Sequence, residues 1–224
     1  MQVPDDALAA VIARLRRIGT FKGAVVSMPH KVTVASLVDA LAPAARQAGA
    51  CNAVRRAPDG RLEGTTLDGE GFVAGLRAAG HEVRGRRVFM VGAGGAAAAT
   101  AFALAKHGAG GLTIANRTRA KAEDLAARVR AAYPSVDIAT DGSPAGHDVV
   151  VNATSIGMRP EDGSPVDPSC LGPGMGAADV VLRPGTAFLL EAGRRGAVAH
   201  GGEPMLAAQI EFLLDYMLWQ DSLA

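Results

Sequence analysis

This chain of 224 residues has little of what would tie it to a disulfide framework, a metal, a nucleic acid or a membrane. Its two cysteines, Cys51 and Cys170, form no Cys-x-x-Cys and cannot staple a fold, so a reducing compartment, most simply the cytoplasm, is expected. The five histidines, at 30, 81, 107, 147 and 200, make no His-x-x-x-His pair and no His/Cys cluster, and no metal is expected. Neither sign of charge dominates: 23 Lys and Arg face 22 Asp and Glu, for a net charge of +1. Aromatic residues are 4% of the chain and no basic run is interleaved with them, which argues against nucleic acid or an anionic membrane as a partner. The one long charge-free stretch is "VFMVGAGGAAAATAFALA", Val88 to Ala105. Glycines at 92, 94 and 95 would break a spanning helix there, and most of the remainder is weakly apolar alanine. Asp5 and Asp6 stand where a signal peptide needs positive charge.

What remains is a globular composition, 49% hydrophobic and 20% charged, long enough for one large domain or two small ones. Leu8, Val11, Ile12 and Leu15 predict an amphipathic helix that stops near Gly19. "GAVVSMPHK" predicts a buried strand through Val25 and Val26, broken at Pro29 and delivering Lys31 to its carboxyl end. One helix, a hairpin turning at Pro58-Asp59-Gly60, and a helix ending at Gly80 should follow. "HEVRGRR" is a polar connection and a candidate boundary. Beyond it, strands are expected at 88–91, 112–115, 136–139, 148–152, 178–182 and 197–200, with helices at 95–107, 119–132 and 186–195. That alternation predicts a parallel sheet covered by helices. A Pro/Gly-rich loop over 158–176 and an amphipathic helix from Pro204, packed back on the first half, complete the chain.

"VFMVGAGGAAAAT" reads as a strand followed by Gly92-x-Gly94-Gly95-x-Ala97. The first glycine permits a tight turn, the second lets backbone approach a pyrophosphate, and the small last position lets helix pack on strand. Free N–H groups at the helix start would meet the phosphates. The expected contacts are Gly92, Ala93, Gly94, Gly95 and Ala96. A second strand ends at Asn116, 21 residues after Gly95, where an NAD site would carry an acid on the ribose. Asn116, Arg117, Thr118 and Lys121 stand there instead, and two cations with a hydroxyl suit a 2′-phosphate, so NADP is expected over NAD.

"VSMPHK", "GACNAV", "GTTLDGEGF", "VGAGGAAAA", "NRT", "VNATSIGM" and "PMLAAQ" occur in an order that resembles the shikimate dehydrogenase family over nearly the whole chain. The resemblance implies an α/β fold of two domains. Residues 1–82 would be the smaller substrate domain, completed by the helix at 204–224, and 83–203 a Rossmann-type doubly wound NADP domain. It implies a catalytic pair of Lys31 and Asp68, substrate contacts from Asn52 and Gln209, and cofactor contacts from Thr154 and Met158. The substrate would be shikimate, quinate or a related cyclic hydroxy acid, with a homodimer left open. An ammonium beside a carboxylate suits the chemistry, since it can stabilise charge on a carbonyl oxygen under reduction and supply the proton.

Four departures from the family pattern stand out. Thr66-Leu67 replace an Asn-Thr before Asp68, Leu182 replaces a tyrosine, and Glu203-Pro204 replace the glycine before Met205-Leu206. No Ser-x-Ser-Pro segment precedes Lys31, so the chain reads as truncated at its amino end, with an interior strand missing from the first sheet. The alternative to an active dehydrogenase is a catalytically impaired NADP-binding remnant of one.

Overall fold

The computed structural model describes residues 1–218. Trp219, Gln220 and the rest of the expected carboxy-terminal helix lie outside the described residues.

The first seventy residues build a small mixed sheet. A short turn at Asp5–Ala7 leads into α1 (Leu8–Leu15), whose Leu8 and Ile12 are buried as their spacing predicts. The strands are β1 (Gly23–Val25), β2 (Ala40–Leu41), β3 (Ala53–Arg56) and β4 (Leu62–Thr65), with α2 (Lys31–Ala35) and α3 (Pro43–Ala48) between the first three. Their order is β1-β3-β4-β2, antiparallel except for the β2–β4 pair. Leu8, Ile12 and Val34 close one face over Cys51, Val54 and Leu62.

Two expectations need correction here. The single helix after Lys31 is two helices with β2 between them. Asp39 and Ala42 give their N–H groups to Leu62 and Gly64 in β4, so this segment finds its partners in the sheet. Pro43 opens α3, where a missing N–H goes unnoticed. The strand leading to Lys31 is also less buried than its sequence suggests: β1 is an edge strand, and Val25 is 60% exposed. The four strands are hydrogen-bonded in one continuous order. The outer side of β1 is left open.

After α4 (Asp68–Ala78) the chain winds a parallel sheet of β5 (Arg87–Val91), β6 (Gly111–Ala115), β7 (Asp137–Ala139), β8 (Val149–Asn152), β9 (Gly176–Asp179) and β10 (Val198–His200). The order is β10-β9-β8-β5-β6-β7. The chain therefore leaves β5 in one direction and returns to its other side at β8, which makes the carboxyl ends of β5 and β8 the switch point where such sheets hold ligands. α5 (Gly95–Lys106) and α6 (Arg119–Ala132) cover one face, and α7 (Ala187–Arg194) covers the other over Phe89, Val150 and Ala177. α5 is buried from Ala97 to Ala105 between the sheet and α4, which accounts for the charge-free run. The strand expected at 178–182 lies at 176–179: Gly176 to Asp179 pair with Val149 to Asn152, and the Asp179 carboxylate then turns the chain by accepting the Val181 N–H.

α8 (Glu203–Leu218) returns to the small sheet. Leu213 and Tyr216 pack on Ala53, and the Tyr216 hydroxyl donates to the Glu63 carbonyl at 3.0 Å. Glycines on two sides of α4 let its neighbours come close. A methyl at Gly69 would sit 2.1 Å from the Ala99 carbonyl oxygen of α5, and one at Gly75 would sit 2.7 Å from the Met205 nitrogen of α8. Leu206, Ile210, Leu214 and Leu218 form an outward apolar stripe on α8. No helix among the described residues is long and apolar enough to cross a membrane.

Candidate active site

Lys31 opens α2 just beyond β1, and its Nζ donates to Asp68 Oδ2 at 2.6 Å. Asp68 is the first residue of α4 and is 2% exposed, so the positive end of the helix dipole faces its carboxylate. Its other oxygen, Oδ1, accepts from Asn52 Nδ2 and from Gln209 Nε2, both at 2.9 Å. Asn52 cannot turn over freely, because its Oδ1 accepts the Leu67 N–H at 2.9 Å. Thus three of the four residues expected at a catalytic and substrate site converge on the carboxylate of the fourth, each from a separate segment. A buried carboxylate is costly unless its lone pairs are matched, and here one cation and two amides match them.

Gln209 reaches Asp68 because α8 lies so close to α4. A methyl at Gly71 would meet the Met205 carbonyl oxygen at 2.9 Å and Gln209 Cβ at 3.0 Å. Leu67 packs toward the cluster of Ala53, Leu213 and Tyr216, so this departure helps to seat α8. Cys51, next to Asn52, is fully buried, and burial pushes its thiol up to about 11. It remains a protonated thiol and no nucleophile.

The glycine turn lies against this cluster. Gly92 has a φ of 126°, and a side chain there would strike the Ala153 carbonyl oxygen at 2.5 Å. Gly94 caps α5, and a methyl on it would meet nothing within 4 Å, so its surface is open to a ligand. A methyl on Gly95 would lie 3.4 Å from Lys31 Cβ, which brings the phosphate-type turn beside the lysine. Ala93 and Ala96 lie within the same turn and the first turn of α5. At the end of β6, Asn116 Nδ2 donates to the Thr118 carbonyl at 2.9 Å, and Thr118 caps α6 without using its hydroxyl. Arg117 and Lys121 are exposed and make no ion pair among the described residues, whereas neighbouring Arg119 is taken by Glu123 and Asp141. Two unspent cations and a hydroxyl beside a glycine turn fit a phosphorylated dinucleotide. Thr154 and Met158 lie in the loop after β8, on the other side of β5.

Sequence reasoning passed over a second polar knot. Asn152 and Asp179 are buried at the ends of β8 and β9 and bonded to each other at 3.0 Å. Burial raises the Asp179 carboxyl above the usual carboxylate range, against hydrogen bonds from Val181, Thr186 and Asn152. The signal was an aspartate set inside the apolar run "GAADVV".

A glycine turn at the switch point of a parallel sheet, beside a buried lysine–aspartate pair, defines a dinucleotide-dependent dehydrogenase. Comparison with known proteins narrows the class. Residues 1–54 match the shikimate dehydrogenase substrate binding domain, and residues 76–157 match shikimate / quinate 5-dehydrogenase. The NADP(+) shikimate dehydrogenase of Rubrobacter xylanophilus is 43% identical over 215 residues, which are 93% of this chain and 75% of that one. Shikimate 5-dehydrogenase of Thermus thermophilus, solved with NADP(H) and shikimate, superposes with a TM-score of 0.85 at 31% identity, over 97% of this chain and 80% of that one. The 5-ketofructose reductase of Gluconobacter sp. strain CHM43 does so with a TM-score of 0.83 at 35% identity, over 98% and 80%. The chain belongs to the shikimate dehydrogenase family.

Proposed function

We propose that the chain is an NADP-dependent oxidoreductase that interconverts 3-dehydroshikimate and shikimate, or a related cyclic hydroxy acid such as quinate. The observation that carries this is the Lys31–Asp68 pair lying against Gly95 at the mouth of the glycine turn. NADPH, when bound, supplies a hydride to the ring carbonyl carbon. As charge grows on the carbonyl oxygen, the Lys31 ammonium neutralises it and donates the proton. In the opposite direction the neutral amine of Lys31 takes the hydroxyl proton. Asp68 holds Nζ in place, and Asn52 and Gln209 fix Asp68 while offering remaining amide donors and acceptors to substrate hydroxyls. Arg117, Thr118 and Lys121 would hold the 2′-phosphate, Gly92 to Ala96 the pyrophosphate, and Thr154 and Met158 the nicotinamide end.

This reading divides the chain into a substrate domain at 1–82, completed by the carboxy-terminal helix, and an NADP domain at 83–203. Two features support a homodimer: the open outer side of β1 and the apolar stripe on α8. A cytoplasmic site suits the NADP(H) chemistry. Turnover of shikimate and quinate, followed by NADPH absorbance with NADP+ and with NAD+, tests the function. Oxidation of either acid with NADP+ supports it. Tight NADP+ binding with no turnover of any cyclic hydroxy acid would favour the impaired remnant.

A further inference from the structure

Asp179 is 1% exposed and, among the described residues, has no cation beside it; its partners there are neutral donors. Oδ1 accepts from Asn152 Nδ2 at 3.0 Å and from the Val181 N–H at 2.9 Å, and Oδ2 accepts from the Thr186 hydroxyl at 2.9 Å. A carboxylate buried without a counter-charge is expensive, so its donors must be firmly held. We propose that Asp179 is a positioning residue for the nicotinamide end of the cofactor, acting through Asn152 on the loop at 153–158. This rests on the NADP-dependent reading above.

The geometry supports the assignment link by link. Asn152 spends its whole amide on the loop and on Asp179. Its Nδ2 donates to the Ile156 carbonyl at 2.8 Å as well as to Asp179. Its Oδ1 accepts from the Thr154 N–H at 3.1 Å and the Thr154 hydroxyl at 2.7 Å, and that hydroxyl oxygen accepts the Ile156 N–H at 3.0 Å. The loop is therefore folded around one amide. Asp179 accepts only, so it selects the orientation of that amide with Nδ2 toward β9 and Oδ1 toward Thr154. Thr186, held by the same carboxylate, forms the wall against Gly157: a methyl there would lie 3.0 Å from Thr186 Cγ2.

Strand order says which part of a dinucleotide this loop meets. Along the sheet the order runs β8-β5-β6. Arg117, Thr118 and Lys121 follow β6, and the glycine turn follows β5. A dinucleotide laid across these ends with its 2′-phosphate at β6 and its pyrophosphate at β5 must put its nicotinamide beyond β8. There the loop already lies on the glycine turn, with the Ala153 carbonyl against Gly92.

The test compares a half-cofactor with the whole one. 2′,5′-ADP reports the β6 and β5 contacts alone, by calorimetry, and NADPH adds the nicotinamide, by its fluorescence. In Asp179→Ala, 2′,5′-ADP should bind as in the parent protein. NADPH should bind about tenfold more weakly, the size of one lost hydrogen bond, with the nicotinamide fluorescence change diminished. kcat should fall about 10- to 100-fold from misplacement of the ring. Asp179→Asn keeps an acceptor for Asn152 and should recover most of the loss. Asn152→Ala breaks the next link and should reproduce the Asp179→Ala signature even if that variant folds poorly. NADPH binding and fluorescence unchanged in both alanine variants would overturn the proposal. So would equal losses of 2′,5′-ADP and NADPH, which would show a general structural role. Failure of the parent protein to bind NADPH at all would instead overturn the functional reading beneath it.

Discussion

The six-stranded sheet is parallel throughout and is covered on both faces by helices wound from its own stretch of chain, α5 and α6 on one side and α7 on the other. The four-stranded sheet is mixed and has β1 and β2 as edges, and it borrows one of its covers, α8, from the far end of the chain. The two also divide the chemistry. The parallel sheet offers backbone N–H groups and unspent cations, which recognise phosphates, while the small sheet and its borrowed helix supply the lysine, carboxylate and amides that would handle the proton. On the proposed function, recognition would be built into one unit, and catalysis would depend on how separate pieces are held together.

That division can be broken at chosen points. Lys31→Ala should give the largest effect, a fall in kcat of at least ~100-fold, the low end for loss of a general acid, with NADPH affinity nearly unchanged. Steady-state kinetics beside calorimetry would check it, and retention of most activity on every accepted substrate would refute the role of Lys31. The complementary change, Arg117→Ala, should weaken NADP+ by roughly 1.5–3 kcal/mol, the range for hydrogen bonds to charged groups, and leave NAD+ nearly untouched. Equal losses for both cofactors by calorimetry would remove the 2′-phosphate assignment.

Gly75→Ala tests the junction between the two regions. The added methyl would press on the Met205 nitrogen and the Pro204 carbonyl carbon at under 3 Å, and overpacking of this kind costs about 1–3 kcal/mol. Thermal unfolding should show the destabilisation, and kcat/KM should fall as Gln209 is displaced, while 2′,5′-ADP binding stays intact. The smallest effect concerns pH. His200 ends β10, its ring stacks edge-on to His81 with centroids 4.1 Å apart, and burial, with His81 in second place, lowers its affinity for a proton. The unfolded chain therefore takes up that proton first as pH drops through 6.5, the ordinary histidine value, and stability should decline from there toward the lower folded value. Chemical denaturation between pH 7.5 and 5.5 should show this slope flattened in His200→Asn; an unchanged slope would count against His200 as its source.

Much of the large sheet was legible in the sequence because its strands are short apolar runs and its helices have clear starts. β9 was displaced because Gly176, Ala177 and Ala178 lack β-branching, and the neighbouring "VVL" drew the assignment past the strand's end at Asp179. β2 was invisible: two residues whose ladder partners lie more than twenty positions away leave no periodic trace. The convergence of Lys31, Asn52, Asp68 and Gln209 was legible through resemblance, yet nothing local to "MLAAQ" says that its glutamine reaches α4. That contact follows from glycines more than a hundred residues earlier. Asp179 went unnoticed because a single acid in an apolar run looks like a strand end, and its role lies in three neutral partners that only the fold assembles.

The glycines of α4 have a consequence for how this chain can vary. Because Gly69 touches α5 through backbone, and Gly71 and Gly75 touch α8 the same way, no rotamer change on the partner helix can make room for a larger residue. A library randomised at these three positions alone should return glycine almost exclusively. Released together with 99 and 103 on α5, or with 204, 205 and 209 on α8, it should yield only variants whose helices have shifted as a whole. Along α8 that shift would carry the glutamine away from the carboxylate, so folded survivors at 71 and 75 should be common among binders of NADP+ and rare among catalysts.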